Sequence, residues 1–208
     1  IVLATGARSR ELPALPIDGK KIIGYREALT LPAQPKSMIV VGSGAIGVEF
    51  AYFYNSMGVD VTIVEFMDRI VPVEDADVSK ELEKAFKKKG IKVMTASSVE
   101  KADPTGNGVV ATVKTANGEV TLEADILLSA AGVQTNIENI GLEALNITVD
   151  KGRVIVDPYY KTNVDGIYAI GDIVPGQALA HVAMKEAVIC IENIAHKEGK
   201  FHHQPEVL

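Results

Sequence analysis

Met38-Ile39-Val40-Val41-Gly42-Ser43-Gly44-Ala45-Ile46-Gly47-Val48-Glu49-Phe50-Ala51 changes its texture within a few residues. The first four are an uncharged apolar run, as a strand buried on both faces requires, and Gly42 ends it. The stretch from about Ala45 to Met57 then has no breaker beyond Gly47 and predicts a helix. Between strand and helix, Gly42, Gly44 and Gly47 form a G-x-G-x-x-G pattern that takes in Ser43, Ala45 and Ile46. In that setting the first glycine permits a tight turn, the second lets a pyrophosphate approach the backbone, and the third lets the helix pack on the sheet. The helix start adds unpaired N–H groups and the positive end of its dipole. A second strand, rich in β-branched residues, is predicted over 59–65 and ends at Glu65, 18 residues after Gly47. An acid there can accept hydrogen bonds from the adenosine ribose hydroxyls and repels a 2′-phosphate, which favours NAD over NADP. No Gly-Lys-Ser/Thr follows the glycines, so a P-loop is excluded.

Outward from this unit, residues 1–37 start as a strand and then carry Pro13, Pro16, Gly19, Pro32 and Pro35, as a linker between domains would. Downstream, Val78, Leu82, Ala85 and Phe86 fall at i, i+4, i+7 and i+8 and predict an amphipathic helix. Asp77 is placed to cap it and Gly90 to end it. Lys87, Lys88 and Lys89 occupy its last turn, a solvated face favoured by the dipole. Two Asn-Gly pairs, Asn107-Gly108 and Asn117-Gly118, separate β-rich stretches and predict an antiparallel meander with type I′ turns. Ile126–Ala131 reads as a strand ending at Gly132. Ile167–Ile170 reads as the last strand, ending at Gly171-Asp172, and a helix is expected from about Leu179 to Lys197. The fold class is therefore α/β: a Rossmann-like nucleotide-binding domain, expected over 33–153, with a parallel sheet and a β-meander.

The 208 residues are 47% hydrophobic and 23% charged, with a net charge of -6, and such a chain buries enough apolar surface to fold. No uncharged stretch approaches the roughly 20 residues that span a bilayer, so no membrane helix is expected. The single cysteine, Cys190, excludes an internal disulfide, a CxxC pair and a Cys-rich zinc site, and a reducing cytoplasm is the default location. The acidic balance gives no field for nucleic acid. Cys190 lies among Val188, Ile189 and Ile191 and reads as an inert core thiol. His202 and His203 stand in a polar tail with no metal pattern around them. The chain opens on Ile1-Val2-Leu3-Ala4-Thr5-Gly6, a buried strand entering a turn, as in a piece of a longer protein.

The run from Pro35 to Ala51 resembles the pyridine-nucleotide segment of the disulfide oxidoreductase flavoproteins, and most of all that of the dihydrolipoamide dehydrogenases. Ala4-Thr5-Gly6 resembles the strand end where that family's chain leaves its flavin domain. Ala130-Ala131-Gly132 resembles the strand end beside NAD. Thr162 with Ile167-Tyr168-Ala169-Ile170-Gly171-Asp172 resembles the second flavin motif. The resemblance implies that residues 1–32 and 154–208 are parts of an FAD-binding domain. It implies that Asp172 accepts from the FAD ribitol and that Ala178-Leu179-Ala180-His181 open a helix whose N–H groups face the flavin. It further implies that Glu49 lies near the nicotinamide and that Val48, Val99 and Gly132 belong to the NAD site. His181 could be taken for a general base, but the resemblance gives it a backbone role. Gly132-Val133-Gln134-Thr135-Asn136 departs from the family's Gly-Arg-x-Pro-Asn and leaves out its arginine. Family members also carry an N-terminal FAD glycine motif, a Cys-x4-Cys pair and a C-terminal dimerisation domain with a catalytic His and Glu, none of which is found in this sequence. The expectation is a fragment, itself inactive, of a homodimeric enzyme that passes electrons from reduced lipoamide through a dithiol and FAD to NAD+, within a 2-oxo acid dehydrogenase complex; the alternatives are a fragment of another NAD(P)H-dependent flavoprotein disulfide reductase, such as a mercuric or NADH-dependent reductase, and a nucleotide-binding module without turnover.

Overall fold

The order of elements follows from where apolar runs and turn formers fall. In the computed structural model, which describes residues 1–195, β1 (Val2–Leu3) and β2 (Ala7–Ser9) precede β3 (Ile22–Ile23) and the short helix α1 (Tyr25–Ala28). Next come β4 (Ser37–Val41), α2 (Ala45–Ser56), β5 (Asp60–Val64), α3 (Ala76–Lys88) and β6 (Lys92–Met94). A meander of β7 (Ser98–Pro104), β8 (Val109–Thr115) and β9 (Gly118–Ala124) leads to β10 (Ile126–Ser129). The remainder holds β11 (Val133–Thr135), β12 (Val149–Asp150), β13 (Arg153–Val154), β14 (Tyr168–Ala169) and α4 (Ala180–Ala195). Among the described residues, contacts group Ser9–Gly132 into one compact unit, and Ile1–Arg8 with 133–195 into another. Relative to boundaries at 33 and 153, this grouping puts 9–32 with the sheet and 133–153 with the second unit.

The first unit is built on a five-stranded parallel sheet in the order β3-β10-β4-β5-β6. Successive side chains of β4 enter different cores. Met38 and Val40 pack with Val48 and Ala51 of α2 and Phe86 of α3, whereas Ile39 and Val41 pack with Val109, Ala111 and Val113 of the meander. Burial on both faces is why β4 and β10 read as unbroken apolar runs. Each fully buried Ile or Leu removed from water contributes roughly 1.5–3 kcal/mol. The helical crossover α2 between β4 and β5, and the return of the chain through the meander into β10, keep the strands parallel and bring the C-terminal ends of β4, β5 and β10 to one edge, where the glycine turn sits.

Four local expectations change. Residues 1–37 are not only a linker, because Ile22 and Ile23 pair with Leu127 and Leu128 as an edge strand too short to show a period. Helix α3 is capped by Asp75, whose Oδ1 accepts the Asp77 N–H at 2.8 Å, rather than by Asp77. Its buried face accordingly runs through Ser79, Leu82 and Phe86, and Val78 and Ala85 are exposed. The meander is as expected, but its turns are not type I′. Thr115 pairs with Gly118, so the loop residues are Ala116 and Asn117, and within that turn the left-handed conformation falls on Gly118 alone (φ +114°). Gly108 needs no such conformation; a Cβ there would lie 2.2 Å from the Ala124 carbonyl oxygen.

The second unit packs Leu142, Ile147, Val154, Ile167, Ala169, Ile173 and Val174. Within it β1 pairs in parallel with β14, and β12 pairs with β13 as a hairpin. The expected helix end at Lys197, together with His202 and His203, lies outside the described residues. Among the described residues no helix is long and apolar enough to cross a membrane, and no cluster of His, Cys, Asp and Glu could hold a metal ion.

Candidate functional site

Each glycine of the turn between β4 and α2 meets a different demand. Gly42 adopts φ +97°, and a Cβ there would lie 2.5 Å from the Ala130 carbonyl oxygen, so conformation and neighbour both exclude a side chain. At Gly47 a Cβ would lie 2.0 Å from the Gly42 carbonyl oxygen, and the helix could not seat against the strand end. Gly44 is the helix N-cap with an ordinary φ of -67°, and a Cβ there would meet nothing within 4 Å. No side chain caps α2, so the N–H groups of its first turn face outward without a protein acceptor from that source.

Glu65 follows β5 and turns back onto this loop. Its backbone N–H donates to the Met94 carbonyl (2.8 Å) and its carbonyl accepts the Ser97 N–H (2.9 Å), which fixes the strand end. Its carboxylate is buried and takes three hydrogen bonds. Oε2 accepts the Ser43 N–H and the Ser43 Oγ–H, each at 2.7 Å, and Oε1 accepts the Met67 N–H at 2.7 Å. Ser43 is wholly enclosed, and its carbonyl accepts the Val71 N–H at 2.9 Å. Val71 makes that bond with φ +41°, a strained conformation for a β-branched residue, and strain of this kind clusters at functional sites. Val99 lies on β7 two residues beyond Ser97, where a bulge shifts the register before Lys101. Gly132 follows β10 with φ +101°, its carbonyl accepting the Arg10 N–H at 3.0 Å. Gly42 to Glu49, Glu65, Val99 and Gly132 thus all belong to the Ser9–Gly132 unit, with Glu49 exposed on α2.

Asp172, Ala178, Leu179, Ala180 and His181 belong to the second unit. Asp172 lies in the single helical turn Gly171–Ile173, half-buried, and among the described residues its carboxylate makes no hydrogen bond. Ala178 to His181 are exposed at the start of α4. Arg153 Nη1 braces this turn by donating to the Val174 carbonyl at 2.6 Å and the Asp172 carbonyl at 3.3 Å. From α4 the buried Glu186 carboxylate accepts the Gly171 N–H at 2.6 Å. Burial pushes the Glu186 carboxyl above the usual carboxylate range, and the neighbouring Asp172 charge pushes it the same way. Cys190, one turn further on, is fully enclosed, and burial raises its thiol, which keeps it protonated and unreactive.

The sequence reading missed Ser43 as a side-chain donor, the backbone contributions of Met67 and Val71, and Glu186. Glu186 did carry a signal. Val182, Glu186, Ile189 and Cys190 fall at i, i+4, i+7 and i+8, so helical spacing already put an acid on the buried stripe of α4. Ser43 carried none, because its partner lies 22 residues away and is set by the register of two strands.

Likeness to known proteins runs along nearly the whole chain. A dihydrolipoyl dehydrogenase of Rhizobium etli is 53% identical over 196 residues, which make up 94% of this chain and 41% of that protein. The crystal structure of LpdA from Mycobacterium tuberculosis superposes with a TM-score of 0.85 at 34% identity, covering 97% of this chain and 44% of LpdA. A NAD-dependent persulfide reductase from A. fulgidus superposes with a TM-score of 0.83 at 29% identity, covering 99% of this chain and 40% of that one. The chain therefore spans less than half the length of each of these relatives. Residues 1–187 match the pyridine nucleotide-disulphide oxidoreductase family, and the chain belongs to that family.

Proposed function

We propose that this chain carries the NAD-binding site, and part of the FAD site, of a dihydrolipoamide dehydrogenase-like flavoprotein. The observation that carries the reading is Gly44. Of the three glycines it is the one that neither backbone conformation nor a protein neighbour requires, and it stands at the N-terminus of a twelve-residue helix. An absent side chain with no internal reason points to an external occupant, and a pyrophosphate is the occupant that a helix start favours. In this reading the N–H groups that follow Gly44 hold the pyrophosphate, and Glu65 accepts from the adenosine ribose. Val99 and Gly132 touch the nucleotide through the backbone, and Glu49 lies toward the nicotinamide. The nucleotide-binding domain covers 33–153, with Ile22 and Ile23 joining its sheet as the edge strand. Asp172 accepts from the ribitol of FAD, where its free carboxylate fits a hydroxyl donor, and the helix start at Ala178 to His181 faces the flavin, with the Leu179 N–H already donated to the Gln177 carbonyl at 2.9 Å.

The chemistry that FAD supplies when bound is a two-electron relay between a dithiol and a nicotinamide. In the whole protein the overall change would be dihydrolipoamide and NAD+ to lipoamide, NADH and a proton, carried out by a homodimer in a reducing cytoplasm as a component of a 2-oxo acid dehydrogenase complex. With one cysteine, this chain cannot close an intramolecular disulfide, so a coupled assay following NADH from reduced lipoamide should give no turnover even with FAD added. Used alone it is a nucleotide-binding module. A second reading, another flavoprotein disulfide reductase, is favoured by the persulfide reductase likeness. A lipoamide assay on the full-length protein separates the two.

Fluorescence titration of the chain with NADH and with NADPH tests the reading. NADH should bind tighter by about tenfold or more, as expected where one partner places a charge against an acid. Gly44→Val should abolish most of that affinity while leaving the melting temperature nearly unchanged. Equal affinities, or tight binding by Gly44→Val, would overturn the assignment.

A further inference from the structure

The Glu65 carboxylate has about four acceptor positions on its two oxygens, and three are already filled from within the protein. Two of the three donors are backbone N–H groups, of Ser43 and Met67, which any residue at those positions would supply. The third is the Ser43 hydroxyl, and it alone depends on which residue stands at 43. Ser43 is fully enclosed and locked from three sides. Its N–H and hydroxyl both hold Oε2, and its carbonyl is tied to Val71. The hydroxyl therefore cannot turn to solvent for another acceptor, and its proton stays on Oε2. The position left open on the carboxylate lies on Oε1, which accepts Met67 N–H alone.

We infer that the Ser43 hydroxyl is the positioning residue that sets discrimination between NAD(H) and NADP(H), by holding the Glu65 carboxylate in one orientation with a single acceptor position free for a ribose hydroxyl. This deepens the nucleotide-binding reading and rests on it. A ribose hydroxyl supplies the donor that the free position needs. A 2′-phosphate supplies no donor there and brings like charge against a carboxylate whose orientation is fixed. Without the hydroxyl, Oε2 keeps one donor where it had two, the carboxylate can turn, and both the attraction for the ribose and the repulsion of the phosphate weaken. The pyrophosphate contacts at Gly44 are common to both cofactors and should not register the change.

The test is a set of equilibrium titrations with NADH and NADPH on the unsubstituted chain and on Ser43→Ala, Ser43→Thr, Glu65→Gln and the Ser43→Ala/Glu65→Gln double variant. Removing one charge-assisted hydrogen bond should weaken NADH about tenfold in Ser43→Ala and leave NADPH within about twofold. Ser43→Thr, which keeps the hydroxyl, should retain the preference for NADH. In the Glu65→Gln background the further Ser43→Ala change should leave the NADH to NADPH ratio unaltered, since the pair acts as one unit. Equal weakening of both cofactors by Ser43→Ala would assign the hydroxyl a structural role and overturn the inference, as would unchanged affinities in Ser43→Ala, or a further shift of the NADH to NADPH ratio when Ser43→Ala is added to Glu65→Gln. Ser43→Gly, which also lacks the hydroxyl, takes the place of Ser43→Ala if the latter does not keep the native circular dichroism. Absence of NADH binding by the unsubstituted chain overturns the nucleotide reading itself, an outcome distinct from the loss of discrimination alone.

Discussion

Two glycine turns in this chain each rest on a buried acid, and the two acids are treated differently. Glu65, 6% exposed, takes three hydrogen bonds, two of them from the turn that it supports. Glu186, 5% exposed, takes one among the described residues, from Gly171. Burying a carboxylate is costly unless donors replace the lost water. At the first turn the protein supplies them and obtains a rigid acceptor. At the second the supply is thin, and the carboxyl responds by moving above its usual range. Equal burial therefore does not mean equal chemistry; the donor count decides.

The largest effect expected from this contrast is at the glycines. Gly47→Ala places a Cβ 2.0 Å from a backbone oxygen that has nowhere to go, and should cost about 3 kcal/mol, seen as a loss of ~6–12 °C in the melting temperature. Gly171→Ala meets only the Ala183 Cβ at 3.5 Å and is strained by its φ of +75° alone, so the expected cost is about 1–2 kcal/mol. A larger loss at Gly171 than at Gly47 would break the contrast between the turns. Glu65→Gln comes next. Whichever way the amide is turned, its NH2 faces a donor, from Ser43 on one side or Met67 on the other, and the expected destabilisation is about 1–3 kcal/mol by denaturant titration.

Glu186→Gln should go the other way. The amide oxygen can still accept the Gly171 N–H, and the penalty for an ionised buried acid disappears. A folded-state carboxyl held above its unfolded value is tolerated at acid pH and loses stability as pH rises through the raised value. The variant should therefore melt higher than the parent at pH 7–8, by ~2–4 °C for each kcal/mol gained in a chain of this size. The gain should fade as pH falls through the ordinary carboxylate range. A gain that persists in acid, or a loss at pH 8, would mean that Glu186 is as well supplied with donors as Glu65.

Legibility in the sequence follows the distance over which each feature is determined. The β4–glycine–α2 unit was readable because a two-face apolar run, three glycines and a helix lie in adjacent residues. The meander was readable from two Asn-Gly pairs, yet its turn conformations were not, since strand register moved one loop to Ala116-Asn117 and gave Gly108 a packing role. β3 was hidden because two residues carry no period. The cap of α3 was misplaced by two residues because Asp75 and Asp77 both suit an N-cap, and only the start at Ala76 decides between them. At the candidate site, Glu65 was found from its spacing to the glycines, whereas its grip on Ser43 depends on how β4 and β5 align, which no local pattern states.

The most direct test is a crystal structure of the chain grown with NADH. The account predicts a pyrophosphate against the N–H groups that follow Gly44, an adenosine ribose hydroxyl on the free position of Glu65 Oε1, and the Ser43–Glu65 and Met67–Glu65 hydrogen bonds intact. A nucleotide seated away from the glycine turn, or a ribose that displaces Ser43 from Glu65, would contradict it.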